Sequence, residues 1–202
     1  ERTGSSLGYM VDHLIRLSGR PQSGVYLYEQ KKLSATLAEL EKQQQKTLLI
    51  GVTFALLDLA EKFPQTLVHT IIMETGGMKG RKREMIREEV HQLLKTAFGV
   101  KAVHSEYGMT ELLSQAYSKG EGIFSCPPWM KVLLRDEEDP FKVTTKGKGI
   151  INVIDLANIY SCSFLATDDA GMVYDDGTFE VMGRVDGSDI MGCNLMISDV
   201  RY

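Results

Sequence analysis

The 202 residues are enough for one large domain or two small ones, and the 43% hydrophobic content is that of an ordinary globular protein. The 23 Lys and Arg residues against 27 Asp and Glu give a net charge of −4, without long runs of like charge, which argues against nucleic acid as a partner. The apolar stretch 47–57 is interrupted by polar residues and is shorter than the roughly 20 residues of a membrane-spanning helix. We therefore expect a soluble protein without a membrane span and, because no secretory signal is recognisable, a cytoplasmic one.

The first hundred residues alternate between helix and strand patterns. Helices are predicted at 7–17, around 33–40, at 55–62 and at 82–98, and strands at 24–28, 48–53, 67–73 and 100–104. Such alternation is typical of a mostly parallel sheet with helices packed on both faces. Ligands of these sheets bind beyond the carboxyl ends of the strands. The glycine turns at 76–77 and 108 each follow a strand, so we expect both turns in one site.

Beyond about residue 125 the pattern changes to short strands without helices between them. Strands are predicted at 131–135, 150–154, 163–166, 172–174 and 178–182. Turn-forming clusters separate them, which is typical of hairpins. The predicted fold class is therefore α/β, with a mostly parallel sheet flanked by helices in 1–124 and a small antiparallel or barrel-like subdomain in 125–202.

The segment 105–111 combines residue types that suit nucleotide chemistry. Tyr107 can stack on a base and Gly108 allows close approach of the backbone. Thr110 can donate a hydrogen bond to a phosphate, and Glu111 can ligate Mg²⁺ beside that phosphate. An ordinary capped turn explains Gly108 and Thr110 alone and does not require the other residues.

Residues 107–111, YGMTE, match the YGxTE motif of the adenylate-forming superfamily of acyl-CoA synthetases, luciferases and peptide-synthetase adenylation domains. The later segments 167–171, 176–181 and 183–186 resemble the superfamily's TGDxG, DGxFxxxGR and acidic hinge in the same order. The earlier segment 74–80 resembles the glycine pair that lines the adenine pocket of these enzymes. The resemblance covers essentially the whole chain and implies that 125–202 completes a nucleotide site begun in 1–124.

The resemblance implies a role for each matched residue, with ATP and Mg²⁺ as cofactors. Gly76, Gly77 and Tyr107 would contact the adenine, and Asp169 and Arg184 the ribose. Thr110 and Glu111 would hold phosphate and Mg²⁺, with Glu111 as the metal ligand, and the acyl chain would lie near Met109. The full set of expected nucleotide contacts is Gly76, Gly77, Glu106, Tyr107, Gly108, Met109, Asp169 and Arg184.

Further details at 74–80, 104–118, 128–130 and 188–195 resemble the acyl-protein synthetase family, which includes the fatty acyl-protein synthetases of bacterial luminescence operons. This family implies a fatty acid substrate and an acyl-accepting protein, such as a reductase or carrier, as partner. Cys193 is a candidate catalytic thiol that accepts the acyl group, since thiolates are the usual nucleophiles for such transfer. A structural cysteine is the alternative. The three cysteines are odd in number and widely spaced, which argues against a zinc site and against disulfides.

Two other functions remain open. An acyl-CoA ligase would use the thiol of coenzyme A as acceptor. A non-catalytic remnant would bind nucleotide or a partner, because the superfamily's Ser/Thr/Gly-rich phosphate loop with its lysine is not found in these 202 residues. Its absence leads us to expect an amino-terminal portion ahead of Glu1. Asp168 also stands where the TGD motif has glycine.

Overall fold

The computed structural model describes residues 6–76 and 85–185. Its helices are α1 (Ser6–Ser18), α2 (Gln30–Lys42), α3 (Thr53–Lys62), α4 (Arg87–Phe98) and a short 3₁₀ turn at Leu156–Asn158. Its strands are β1 (Thr47–Val52), β2 (Thr70–Thr75), β3 (His104–Tyr107), β4 (Ala116–Ser118), β5 (Ile123–Ser125), β6 (Met130–Arg135), β7 (Val143–Thr144), β8 (Gly147–Asp155), β9 (Phe164–Val173) and β10 (Phe179–Arg184). The strands form one mixed sheet in the order β1-β2-β3-β4-β5-β10-β9-β8-β6-β7.

The predicted α/β class with flanking helices is confirmed. Strands β1, β2 and β3 are parallel neighbours, and the remaining pairings are antiparallel. The β-rich part continues the same sheet, whose two ends do not pair with each other, so it is open and does not form a barrel.

The sequence of helix α4 explains where the helix begins and ends. Glu88 and Glu89 lie in its first turn, where the helix dipole favours negative charge. Val90, Leu94 and Phe98 recur at four-residue spacing and are all buried. Gly99 ends the helix in the left-handed conformation, with φ of 63°. In the part of the chain that the structure describes, neither this helix nor any other is long and apolar enough to cross a membrane.

One face of the parallel strands is packed against helices. Leu49 of β1 and Ile72 of β2 are paired in register and buried, and they share a core with residues of α2, α3 and α4. Their neighbours Leu48 and Ile71 point to the opposite face and are 49% and 48% exposed. Within the described residues, the prediction that helices cover both faces therefore does not hold for these two strands.

The buried apolar residues form two clusters. The first consists of Leu37, Leu49, Leu56, Leu57, Leu59, Ala60, Leu67, Ile72, Val90, Leu94, Phe98 and Val103. The second consists of Tyr107, Leu112, Ala116, Phe124, Met130, Val132, Leu134, Ile151, Val153, Val173, Phe179 and Val181. Strand β3 follows the first cluster along the chain and ends in the second, so it joins the two.

Some predicted elements were wrong. Residues 24–28 form no strand, because no neighbouring strand pairs with them and Val25 and Leu27 are 52% and 59% exposed. The strand predicted at 100–104 begins only at His104, since the residues after Gly99 form the connection to it. The two strands predicted at 163–166 and 172–174 are one strand, β9. The segment 105–111 is also predicted to lie between a strand and the start of a helix, but residues 110 and 111 lie in a turn.

Candidate functional site

The two predicted glycine turns meet at the carboxyl edge of the parallel strands. Thr75 of β2 pairs with Glu106 of β3, so that Gly76 and Tyr107 follow at the same edge. Gly76 has φ of 73°, a left-handed conformation that other residues seldom adopt, and no described residue apart from its chain neighbours lies within 4 Å of the place where its β-carbon would be. Gly77, the second residue of the predicted pair, lies outside the described residues.

A buried threonine fixes the backbone at Gly76. The Thr53 hydroxyl at the start of α3 lies 2.5 Å from the Gly76 carbonyl oxygen and 2.9 Å from Glu74 Oε2. Both Thr53 and Glu74 are buried. Thr53 therefore connects the end of β2 to the helix that follows β1, and its hydrogen bond to the Gly76 carbonyl holds the turn in place.

Glu74 is the centre of a buried polar cluster. Its Oε1 lies 3.8 Å from Arg87 Nε and 3.7 Å from His91 Nε2, and His91 Nε2 lies 3.2 Å from the Ser105 hydroxyl. Burial by itself raises the pKa of Glu74, but hydrogen bonds from His91, Ser105 and Thr53 and the Arg87 guanidinium together lower it below its usual value. Glu74 is thus a carboxylate. Of this cluster, sequence reasoning noted only Glu74, as part of a motif; the signal for it is a carboxylate at the end of an apolar strand.

The structure brings together three site residues that were predicted from separate motifs. The Tyr107 hydroxyl donates a hydrogen bond to Asp169 Oδ2 at 2.8 Å. Arg184 Nε lies 3.4 Å from Asp169 Oδ1, and the two residues are paired across β9 and β10. Arg184 Nη2 also lies 4.0 Å from Asp168, the residue that replaces the motif glycine. The YGxTE, TGDxG and GR segments therefore converge.

Tyr107 itself belongs to the second core. Only 7% of the residue is exposed, and its ring packs edge-on against Phe124 and Phe179 at centroid distances of 6.0 and 5.5 Å. Burial raises the pKa of the neighbouring Asp169, although the Tyr107 hydrogen bond and Arg184 act in the opposite direction. Stacking of Tyr107 on adenine stays a prediction, and it requires one face of the ring to become uncovered.

Glu106 and Gly108 flank Tyr107. Burial raises the pKa of Glu106, and the charge of Glu74 raises it further. A side chain at Gly108 would begin 3.0 Å from Glu106 Oε1 and 3.1 Å from Gln115 Cγ, which is tighter than ordinary contact. The glycine therefore permits the close approach of these two side chains to the backbone beyond β3.

Thr110 and Glu111, the predicted phosphate and metal residues, are exposed on the loop between β3 and β4. The side chain of Met109, on the same loop, packs partly against the second core. Asp155, at the end of β8, is fully buried and holds this loop in place through hydrogen bonds. Asp155 Oδ2 accepts hydrogen bonds from the Leu113 and Ser114 amides, both at 2.9 Å.

Three further hydrogen bonds complete this attachment. The Ser114 hydroxyl donates to Asp155 Oδ1 at 2.6 Å and accepts from Trp129 Nε1 at 2.9 Å. The Asn158 side-chain amide donates to the Glu111 carbonyl oxygen at 2.8 Å. Asp155 and Asn158 were not predicted from the sequence; the signal that points to them is an aspartate at a strand end that caps the short turn after it.

The chemistry of the exposed residues fits the predicted cofactors. Mg²⁺ is usually bound by one or two carboxylates together with phosphate oxygens and water, so a single exposed Glu111 beside a hydroxyl suffices on the protein side. Among the residues that the structure describes, no three His, Cys, Asp or Glu side chains meet as a metal site.

The predicted acyl-accepting thiol, Cys193, lies outside the described residues. Of the other two cysteines, Cys162 is exposed and Cys126 is partly buried. Burial raises the pKa of the Cys126 thiol to about 11, so this side chain stays protonated at neutral pH and behaves as a small apolar residue.

Solved structures share this fold. The apo form of MatB from Rhodopseudomonas palustris matches with a TM-score of 0.57 and 19% identity, over 80% of this chain and 34% of that one. ATP-bound MatB from the same organism gives 0.58 and 18% over 80% and 34%. O-succinylbenzoate coenzyme A synthetase (MenE) from Bacillus subtilis, in complex with ATP and magnesium ion, gives 0.51 and 17% over 79% and 36%.

These similarities show the fold of the chain. No protein-family model matches the chain, and no curated protein sequence matches it. The chain spans about a third of the length of the solved structures, 34% for MatB and 36% for the MenE complex. The mixed sheet with its flanking helices is thus the fold of one part of these larger proteins.

Proposed function

We propose that this chain is part of an enzyme that activates a carboxylic acid with ATP as an acyl adenylate and then transfers the acyl group to a thiol. The observation that carries the proposal is the convergence of Tyr107, Asp169 and Arg184, which belong to three separate motifs, at one place in the fold. The fold shared with proteins solved in complex with ATP, and in one case with ATP and magnesium ion, supports it.

In the first step, a carboxylate oxygen of the acid attacks the α-phosphorus of ATP. The bond from that phosphorus to the bridging oxygen breaks, and pyrophosphate leaves with the electron pair. Thr110 would donate to a phosphate oxygen, and Glu111 would hold Mg²⁺, which would supply positive charge to neutralise the phosphates. Catalysis of this step is mainly positioning and electrostatic stabilisation.

The adenosine contacts follow the same assignment. The turn at Gly76, together with Gly77, lines the adenine, and Asp169 accepts hydrogen bonds from the ribose hydroxyls beside Arg184. The remaining contacts are Glu106, Tyr107, Gly108 and Met109 along the end of β3. We also keep the division into 1–124 and 125–202, with the site between them, as a proposal. The cytoplasmic location likewise stays a prediction.

In the second step, a thiolate attacks the carbonyl carbon of the adenylate, a thioester forms, and AMP leaves. We propose a protein thiol as acceptor and a fatty acid as substrate, with Cys193 as the candidate thiol and a reductase or carrier as the next acceptor. Coenzyme A is the second candidate acceptor. The similarity to O-succinylbenzoate coenzyme A synthetase is as compatible with coenzyme A as acceptor as it is with a protein thiol.

Nucleotide binding tests the first step. Titration calorimetry of the chain with ATP and with an acyl-sulfamoyl adenylate should show binding of both, and Asp169→Asn should weaken it about tenfold or more, because a carboxylate contact to ribose hydroxyls is lost. Asp176→Asn is the matched control, since Asp176 is an exposed aspartate that accepts hydrogen bonds from Thr178 on the surface. A wild-type chain that binds neither compound contradicts the proposal.

Acyl labelling tests the acceptor. A protein carrying this chain is incubated with ATP and radioactive fatty acid, with and without coenzyme A. Loss of protein labelling in Cys193→Ser, but not in the matched variant Cys162→Ser, is expected for a Cys193 acceptor. Unchanged labelling of Cys193→Ser excludes that role, and AMP release that depends on coenzyme A identifies the ligase alternative.

A further inference from the structure

We infer that Asp155 and Asn158 are positioning residues for Glu111, which they hold in place through the backbone of the loop between β3 and β4. The inference rests on the proposed function, in which Glu111 is the Mg²⁺ ligand. Neither residue belongs to the motifs that predicted the site, and both lie on a different part of the sheet, at the end of β8 and in the 3₁₀ turn that follows it.

Glu111 needs such support because of where it lies. Residues 108–115 form no helix or strand, and the side chains of Thr110 and Glu111 are exposed. A loop of this kind has to lose backbone freedom before a carboxylate on it can meet a metal bound to phosphate. Hydrogen bonds that order the loop beforehand remove that cost from the binding step.

Asp155 supplies the stronger part of the attachment. Its carboxylate is fully buried and accepts three hydrogen bonds from Leu113 and Ser114, and a fourth from the Ala157 amide at 3.1 Å. Although burial acts to raise it, the pKa of Asp155 is lowered by these donors, so the group is charged at neutral pH. Hydrogen bonds to a charged acceptor are about twice as strong as neutral ones.

Asn158 fixes a second point on the same loop. Only 4% of the residue is exposed, and its amide reaches the Glu111 carbonyl oxygen at 2.8 Å. Because Asp155 caps the turn that carries Asn158, one short element attaches the loop both at Glu111 and at Leu113–Ser114. Two attachments within four residues determine the direction in which the Glu111 side chain leaves the backbone.

Trp129 closes the network from the other side. Its indole N–H donates to the Ser114 hydroxyl, and its backbone carbonyl accepts from the Leu156 amide at 2.9 Å. Ser114 therefore accepts from Trp129 and donates to Asp155. The hydrogen-bonding groups of Trp129, Ser114 and Asp155 are thus paired with one another, as expected for a buried polar network that specifies one conformation.

The role predicts an effect on metal-loaded nucleotide that is separate from any effect on nucleotide alone. In Asn158→Ala the Glu111 carbonyl loses this hydrogen bond, while the hydrogen bonds of Asp155 to Leu113 and Ser114 and the core contacts of Leu112 remain. Binding of ATP with Mg²⁺ should weaken by about three- to tenfold, the equivalent of one hydrogen bond, whereas binding of ATP in EDTA, which loses only the part that depends on Thr110, should weaken less.

Ser118→Ala is the matched control. The Ser118 hydroxyl also donates to a loop carbonyl, that of Gly120, at the same distance of 2.8 Å, but outside the candidate site. The control should lose a similar amount of stability in urea while binding both forms of ATP like wild type. Ser114→Ala, which leaves the two backbone amide bonds to Asp155 intact, is a second test variant with a smaller expected effect in the same direction.

The titrations separate the possible failures. The inference is overturned if Asn158→Ala and Ser114→Ala bind ATP with Mg²⁺ like wild type, or if both forms of ATP weaken equally. A wild-type chain that binds ATP in neither condition removes the proposed function, and the positioning role with it. Normal wild-type binding beside unaffected variants removes the positioning role alone.

Discussion

Some residues of the candidate site are buried and contribute by forming hydrogen bonds to other parts of the protein. Asp155 and Glu74 are buried acids, and several hydrogen-bond donors keep each of them charged. Their hydrogen-bond partners are distant in sequence, except that Asp155 also caps the nearby Ala157 amide. The predicted ligand-binding residues Thr110 and Glu111 are the exposed ones. Buried acids thus support the backbone on which the exposed side chains are presented.

Asp155→Asn should destabilise the protein in a pH-dependent way. The pKa of Asp155 is lowered in the folded state, so its stabilising effect is present above the unfolded value of about 4 and is lost as the pH falls through the lower folded value. The variant has no titrating group there, and its side-chain NH₂ group, a donor, replaces one of the two carboxylate oxygens that accept from the Leu113, Ser114 and Ala157 donors. We expect a loss of about 2–3 kcal/mol at pH 7 in urea unfolding.

The difference between wild type and Asp155→Asn should shrink when the same unfolding is repeated at pH 3. Asp176→Asn provides the control, because the donors that lower the pKa of Asp176 lie on the surface at Thr178. A difference at Asp155 that does not change between pH 7 and pH 3 would contradict the assignment of a charged, hydrogen-bonded carboxylate.

The sequence allowed the residues of the site to be predicted better than their supports. Tyr107, Asp169 and Arg184 follow from motif order, and the structure brings them into contact. Asp155 and Asn158 act across about 45 residues of chain on Glu111 and Ser114, as the separations in sequence show. A local pattern can mark Asp155 as the cap of a turn, but it does not identify the loop that Asp155 and Asn158 hold, because that depends on how β8 is placed in the sheet.

At the level of elements, periodicity identified the helices and most of the longer strands, although β9 was predicted as two strands. Strands β4 and β5 were missed, since three residues are too few for an alternating pattern to be recognised. The predicted strand at 24–28 failed for the opposite reason: its residues have high strand propensity, but no partner strand lies beside them. Strand formation depends on a neighbour, and propensity alone does not supply one.

Gly171 shows that a motif residue can be required by the packing of strands. An added β-carbon would lie 2.5 Å from the Glu180 carbonyl oxygen of β10 and 2.7 Å from Ile151 Cδ1 of β8. Gly171→Ala should therefore force β8, β9 and β10 apart, at a cost of about 1–3 kcal/mol. The measurement is the midpoint of thermal or urea unfolding.

Gly24→Ala is the matched control for Gly171→Ala. A β-carbon at Gly24 would meet only the Tyr26 ring, at an ordinary 3.7 Å, so the control should unfold like wild type. If Gly171→Ala is as stable as Gly24→Ala, the close approach of the three strands is wrong, and the glycine of this motif would have to be explained by ligand contact.

For the molecule as a whole, the continuous sheet joins two cores that are otherwise separate along the chain. The connection is made by β3, and also by Arg87 of α4, whose guanidinium lies over the Phe124 ring and donates to the Val181 carbonyl oxygen at 3.4 Å. Phe124 and Val181 belong to the second cluster, whereas Val90, one turn along α4 from Arg87, belongs to the first. Unfolding of one core should therefore be coupled to unfolding of the other.

The single tryptophan, Trp129, reports on this coupling because it lies beside the second core. Ile72→Ala removes a fully buried side chain from the first core and should cost about 2–5 kcal/mol. If the cores unfold together, the midpoint from Trp129 fluorescence falls as far as the midpoint from far-ultraviolet circular dichroism. Ile71→Ala, one residue away on the half-exposed face, should cost less than about 1 kcal/mol. Two separate transitions in Ile72→Ala, with an unchanged Trp129 midpoint, would show that each core folds on its own. If Ile71→Ala and Ile72→Ala lose equal free energy of unfolding, helices cover both faces of the parallel strands.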